Sequence, residues 1–364
     1  MLSKTRETLA SGISAGLHLG GQVYVSRHGE VVDDFALGEA RLGEPLTTTH
    51  LMGWASSSKP VGAVAIAQLW ERGLLTLDDL VTRFIPEFGA GGKATITLRH
   101  CLTHTGGFRM MDVGWPRLSW NEILGRICAS RIEPNWVPGE RAGYHQQSSW
   151  FVLGEIVKRV DGRPFERYVR EKIFLPLGMD DCWIGMPRER FLEYGAHVAP
   201  AWNTESSSPA DIHWNSESRV TSCAPGSNGF GPANQLGRFY EALLEGGARQ
   251  AARLLSPQTV EALTARHRVG LFDHTFRKVM DWGLGVIPNP AVHGDADMPY
   301  AYGALASRRA FGHSGYRSST AFADPEHGLV VVLITNGTPG EELHGARMKA
   351  LTEAVYDDLG LGSS

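Results

Sequence analysis

The sequence predicts a mixed α/β fold of the α+β kind. An antiparallel sheet built from N- and C-terminal segments is flanked by helices, and an all-helical lobe is inserted between the two halves. Three observations carry this. The stretch "GGQVYVSRHGEVVDDFALGEA" alternates apolar and polar residues about a His-Gly turn. "STAFADPEHGLVVVLITNG", close to the other end, reads as two strands about a turn at 325–328. Between them the apolar residues recur mostly at helical spacing.

The elements follow in order. A short helical lead precedes the hairpin centred on His28 and Gly29, and residues 52–73, "MGWASSSKPVGAVAIAQLWERG", are expected to be helical. From Thr76 to about Tyr168, helical patches are broken by "PEFGAGG", "HTGGF" and "EPNWVPGE". "GRPFERYVREKIFLPLGM" continues the helical pattern, with Pro164 in a first turn and Pro176 and Gly178 closing it. Residues 199–231 are rich in Ser, Asn, Pro, Gly and Trp and show neither period, which marks an irregular insertion of a commonly functional kind. "NQLGRFYEALLEGG" is a further helix, "WGLGVI" and "RRAFGHSG" add strands, and "GEELHGARMKALTEAVYDDLG" closes the chain as a helix.

With 364 residues and 42% hydrophobic composition, the chain can bury a large core. One domain over 1–364 is expected, its α/β lobe at about 1–75 and 232–364 and its helical lobe, with the insertion, at about 76–231. The net charge of -4 and pI of about 6.4 come from interspersed charges, which argues against nucleic acid and a polybasic membrane surface. "MLSKTRETLASGISAG" carries charges where a secretory signal needs its apolar core, and no run of about 18 apolar residues occurs, so a soluble cytoplasmic protein is expected. Cys101, Cys128, Cys182 and Cys223 lack C-x-x-C spacing and read as reduced thiols, with no metal site or cofactor implied.

Two serines imitate a nucleophile elbow. "GISAG" places Ser14 between a helical lead and a strand, the reverse of the strand-to-helix turn that the elbow requires, and "GHSG" lies between strands. Ser56-x-x-Lys59 makes a better case, because an offset of three at a helix start puts both side chains on one face. A serine hydroxyl needs a base as it attacks, and a lysine serves only when neutral. That demands lowering its pKa by about three units. The apolar helix after Lys59 would desolvate the ammonium, and the positive end of that helix pushes the same way while offering N–H groups to an oxyanion. The same residues also suit a capped helix start, with Ser56 or Ser57 as cap, Pro60 in the first turn and Lys59 reaching water.

Further segments then fall in a telling order. "LTLDDLVTRFIPEF" and "ITLRHCLTHTGGF" follow the helix; "VPGERAGYHQQSSWFVLGEIVKRVDGRPFERYVREKIFLPLGM" and "FGHSGYRSSTAFADPEHGLVVVLITNG" come later. In order, spacing and flanks these resemble the serine β-lactamase and penicillin-binding-protein superfamily, in its class C β-lactamase-like branch of esterases (family VIII-type carboxylesterases). The resemblance covers nearly the whole chain. It implies that Ser56 attacks, Lys59 shares its proton and Tyr144 completes the base system, as phenolate or proton relay. It also implies an oxyanion hole from the backbone N–H groups of Ser56 and Tyr316.

Two departures bear on substrate. The second motif is Tyr144-His145-Gln146, so Gln146 stands where the family usually has asparagine. The third is His313-Ser314-Gly315 in place of Lys-Thr-Gly, and a neutral histidine is a weaker anion site than lysine. That makes efficient β-lactamase or carboxypeptidase action doubtful, and since family members with a third motif altered in this way are often carboxylesterases, the resemblance implies carboxylic esters as substrates. His100-x-x-x-His104 has zinc-helix spacing but lacks the following glutamate, so it reads as structural. Trp54, Trp202 and Trp214 are candidates to line an acyl pocket. The same nucleophile would also serve acyl transfer to an alcohol or amine, amide or peptide hydrolysis, or weak β-lactam cleavage. A catalytically silent binding or scaffold homologue is the non-enzymatic alternative, against which Ser56, Lys59 and Tyr144 together argue.

Overall fold

The computed structural model describes residues 1–294 and 298–361. The chain opens with α1 (Ser3–Ser14), then β1 (Gly20–Arg27), β2 (Glu30–Arg41), β3 (Glu44–Pro45), β4 (Met52–Ala55) and α2 (Lys59–Glu71). After shorter helices come α3 (Ser148–Asp161), β5 (Trp183–Ile184), β6 (Gly229–Gly231) and α4 (Ala233–Leu244). β7 (Ile287–Pro288), β8 (Phe311–Gly315), β9 (Ser319–Asp324), β10 (Leu329–Thr335) and α5 (Glu341–Asp358) complete it.

Among the described residues, seven strands form one antiparallel sheet in the order β7-β8-β9-β10-β1-β2-β3. The central pairing joins the two chain ends, with Val23 opposite Leu333 and Val25 opposite Val331. The turn between β1 and β2 has φ +51° at His28 and +80° at Gly29, the two positive values that a tight two-residue hairpin matching the strand twist requires.

Period-2 alternation divides the apolar side chains between two cores. Val23, Val25, Val331 and Leu333 face α1 and α5, where they meet Leu9, Leu351 and Val355. Tyr24, Val330, Val332 and Ile334 face the other way, against α4 and the helical region. That second core takes in α2, of whose thirteen residues ten are buried, because its sequence is apolar on nearly every side. Each Val or Ile so enclosed contributes roughly 1.5–3 kcal/mol relative to exposure.

The helical stretch expected at 52–73 begins later than the sequence suggests. Met52–Ala55 is a strand, pairing Met52 with Gly231 and Ala55 with Gly229, and a single 3₁₀ turn, Ser56–Ser58, links it to α2. The cause is non-local: β6 supplies hydrogen bonds that the local pattern cannot announce. Ala55 takes φ +47° and ψ -130°, a conformation costing a non-glycine residue of order 1–3 kcal/mol, and so reverses the chain sharply just before Ser56. The helical middle of the chain also carries short strands, at Trp202–Asn203 and Ala210–Asp211 in the insertion as well as β5 and β6.

Candidate active site

Ser56 lies where β4 turns into α2, at the wall of a cavity of about 460 Å³ that Tyr144, Gln146, Trp214, Tyr300 and Tyr316 also line. The three consecutive serines have separate fates. The Ser57 hydroxyl donates to the His313 carbonyl at 3.1 Å and meets the Ser319 hydroxyl at 2.9 Å. Ser58 donates back to the Ala55 carbonyl at 2.6 Å and accepts the Gly229 N–H at 2.8 Å. These bonds tie the turn to β8, β9 and β6. Neither the turn nor α2 has a side-chain N-cap bond, so capping does not account for the serines.

Lys59 is wholly buried, and its Nζ has three neighbours: the Gly226 carbonyl at 2.8 Å, the Gln146 carbonyl at 3.0 Å and Ser56 Oγ at 3.1 Å. Burial with no carboxylate partner holds its pKa well below the ordinary lysine value. A neutral amine has two hydrogens and one lone pair. The carbonyls can only accept, so they take both hydrogens, and the lone pair is left for the Ser56 hydroxyl proton.

Tyr144 is packed beside this pair, with its ring centroid 4.9 Å from Lys59 Nζ. Its own burial, reinforced by Tyr300, drives the phenol pKa well above 10, and the adjacent Ser56 hydroxyl only partly opposes this. Burial thus favours the neutral phenol over the phenolate. Its hydroxyl has no aligned hydrogen-bond partner among the described residues.

Behind Tyr144 stands a set of residues that the motifs do not reveal. Asp273 accepts the Tyr144 N–H at 3.3 Å, along with the N–H groups of Thr275 and Phe276 at 2.8 and 3.1 Å. It pairs with Arg268, whose other nitrogens donate to the Met280 and Thr103 carbonyls. His104, centred 4.8 Å from the Tyr144 ring, accepts the His145 N–H on Nδ1 at 3.0 Å. His100 accepts the Thr97 N–H and so closes a helix cap, which gives both histidines of the zinc-like spacing structural partners.

The third motif runs along β8. His313 is buried, donates from Nδ1 to the Ser314 carbonyl at 2.7 Å, and is held well below the ordinary histidine pKa by burial and by Lys59. Its ring is centred 6.1 Å from that of Tyr144. The Ser314 side chain points to the other side of the sheet and meets the Thr320 hydroxyl, so it does not reach the cavity. Gly315 is required by close approach: a Cβ there would sit 2.2 Å from the Trp54 carbonyl oxygen. Tyr316 follows on the cavity wall, 46% exposed.

The three tryptophans part company. Trp214 lines the cavity and packs near Tyr316. Trp54 is not on that wall; alternation along β4 turns it into the core, where it meets Phe174 and donates to the Gly231 carbonyl. Trp202 is drawn to the sheet edge by a bond to the Ala40 carbonyl and is also absent from the cavity wall. The insertion contributes Arg219, Ser227, Asn228, Gly229 and Phe230 as well, none of which the sequence singles out.

Fold and motif order together define a class: the chain belongs to the beta-lactamase family, whose profile matches residues 7–355. Within it, the chain is 30% identical over 93% of its length to Esterase EstB of Burkholderia gladioli, covering 91% of that protein. It is 26% identical to the Esterase/beta-lactamase LipL of Mycobacterium tuberculosis, over 77% of this chain and 68% of that one. Two solved structures superpose along the chain. A penicillin-binding protein homologue from Caulobacter crescentus gives a TM-score of 0.81 at 29% identity, covering 98% of this chain and 97% of the other. A family VIII carboxylesterase gives 0.79 at 26% identity with the same coverage.

Proposed function

We propose that the protein hydrolyses carboxylic esters through an acyl-enzyme on Ser56, with Lys59 and Tyr144 moving the protons. The observation that carries this is the 3.1 Å contact between Ser56 Oγ and a buried lysine whose two remaining partners are carbonyls. Esterase relatives over most of the chain support the same reading.

In acylation, Ser56 Oγ adds to the ester carbonyl carbon as its proton passes to Lys59. The resulting oxyanion is held by the N–H groups of Ser56 and Tyr316. Collapse breaks the bond to the alcohol oxygen, which takes the Tyr144 hydroxyl proton while the Lys59 ammonium restores it. Water then adds to the acyl carbon, yields its proton to Lys59, and expels Ser56, which takes that proton back. The cycle ends as it began, with neutral lysine, neutral tyrosine and free serine.

The test is intact mass after incubation with an activated short-chain ester or a serine-directed phosphonate. One adduct on the wild type and none on Ser56→Ala is expected. An equal adduct on Ser56→Ala, or none on either, would refute the assignment.

A further inference from the structure

The cavity wall carries one formally charged side chain among the described residues that line it, Arg219, and no aspartate or glutamate. Its guanidinium makes no ion pair and no hydrogen bond with any described residue. The acid two residues before it, Glu217, is taken by Arg188 at 2.8 Å. Partial burial without a counterion lowers the pKa of Arg219, the sign of a cation that has lost water without gaining an anionic partner.

The side chain is nevertheless well placed. Its guanidinium carbon lies 5.1 Å from the centroid of the Trp115 ring, and Trp115 is itself fixed by a bond to the Ser222 carbonyl at 3.1 Å. Its carbonyl accepts the Asn228 side chain at 2.8 Å, and Asn228 in turn accepts the Ala224 N–H at 3.0 Å. Arg219 is thus tied to the segment that brings Ser227, Asn228 and Gly229 to the same wall as Ser56. A stacked guanidinium held in this way keeps its planar edge for a bidentate anion and loses little entropy on binding one.

We propose that Arg219 recognises a carboxylate on the substrate, so that the preferred substrates are esters bearing a second, anionic carboxyl group a short linker away from the scissile carbonyl. This rests on the ester-hydrolase reading above and deepens it. The anion completes the wall electrostatically, giving Arg219 the partner that the protein withholds.

The experiment compares the monomethyl esters of succinic, adipic and suberic acids with the neutral methyl esters of straight-chain acids of equal length. On the wild type, at least one anionic ester should exceed its neutral counterpart in kcat/KM by roughly tenfold, and that ratio should fall as salt is raised. In Arg219→Gln the ratio should drop about ten- to a hundredfold, mostly through KM, with Arg219→Lys between the two because a point charge replaces a planar fork. Binding of methyl hydrogen adipate to the Ser56→Ala protein, measured by calorimetry, should weaken by a similar factor when Arg219→Gln is added. A wild type that prefers no anionic ester, or a preference that survives Arg219→Gln, would overturn the proposal. Hydrolysis of neutral esters that disappears in Ser56→Ala would leave the ester-hydrolase reading standing in that event; if no ester is turned over, the calorimetric comparison still decides the role of Arg219.

Discussion

Arg268 and Asp273 form an ion pair at 3.1 Å with side chains only 1% and 0% exposed, and the same carboxylate accepts the Tyr144 backbone N–H. The Tyr144 backbone is therefore held by a charge that itself depends on Arg268. Removing one member leaves the other uncompensated inside the protein. Asp273→Ala should cost about 3–5 kcal/mol in denaturant unfolding. It should also lower kcat, because the Tyr144 backbone loses its acceptor. A loss below about 1 kcal/mol would mean that this pair behaves like one in open solvent.

Lys59 sets the pH dependence. Its pKa lies well below that of a free lysine because of burial, and in the proposed mechanism the neutral form is the base. Activity should be full above the depressed value and fall as pH drops through it. The limb in kcat/KM should accordingly appear below the ordinary lysine range near 10.4. Lys59→Arg keeps a cation but cannot become neutral, so kcat should fall by about 10²–10⁴ at every pH tested. Stability follows the same linkage with its own sign. Between the native and unfolded-state pKa values the unfolded chain binds a proton at this position that the native protein refuses. Lys59 therefore costs native stability through neutral pH, and the penalty should fade as pH rises through the window between the two pKa values.

That Ser56, Lys59 and Tyr144 meet in one place is legible because their spacing and order are properties of the chain itself. Their supports are not. Arg268 and Asp273 are ordinary charged residues until the fold places them behind Tyr144, and Arg219 sits in a stretch with no period to fix its direction. Trp54 and Trp202 show the opposite error: a large aromatic near a motif suggests a pocket, but burial depends on which face of a strand it occupies. The helix after Ser56 starts later than the local pattern predicts for a related reason, since Met52–Ala55 becomes a strand only by pairing with Gly229–Gly231, far along the chain. Both chain ends were read well, because hairpin alternation is local even though the pairing of β1 with β10 is not.

His313 bears on β-lactams. In place of a lysine, the third motif presents a buried, neutral imidazole whose Nδ1–H is already given to the Ser314 carbonyl. A substrate carboxylate brought there gains no ion pair. Turnover of a cephalosporin should trail that of a good short-chain ester by about 10²–10³, the loss typical of one missing electrostatic donor. Comparable rates in a spectrophotometric assay would show that another cation supplies what His313 does not.

Tyr144→Phe separates the proton relay from packing. The hydroxyl has no aligned hydrogen-bond partner among the described residues, while the ring packs against Phe276, Trp282 and His104. Phenylalanine keeps those contacts, so unfolding should shift by no more than about 1 kcal/mol. Catalysis should respond according to the leaving group. An alkoxide must be protonated as it departs, and for a methyl or ethyl ester kcat/KM should fall by about 10²–10⁴. A p-nitrophenolate leaves without a proton, so its loss should be much smaller. Equal losses for both esters would show that Tyr144 acts by holding Ser56 and Lys59 in place, not by delivering a proton to the leaving oxygen.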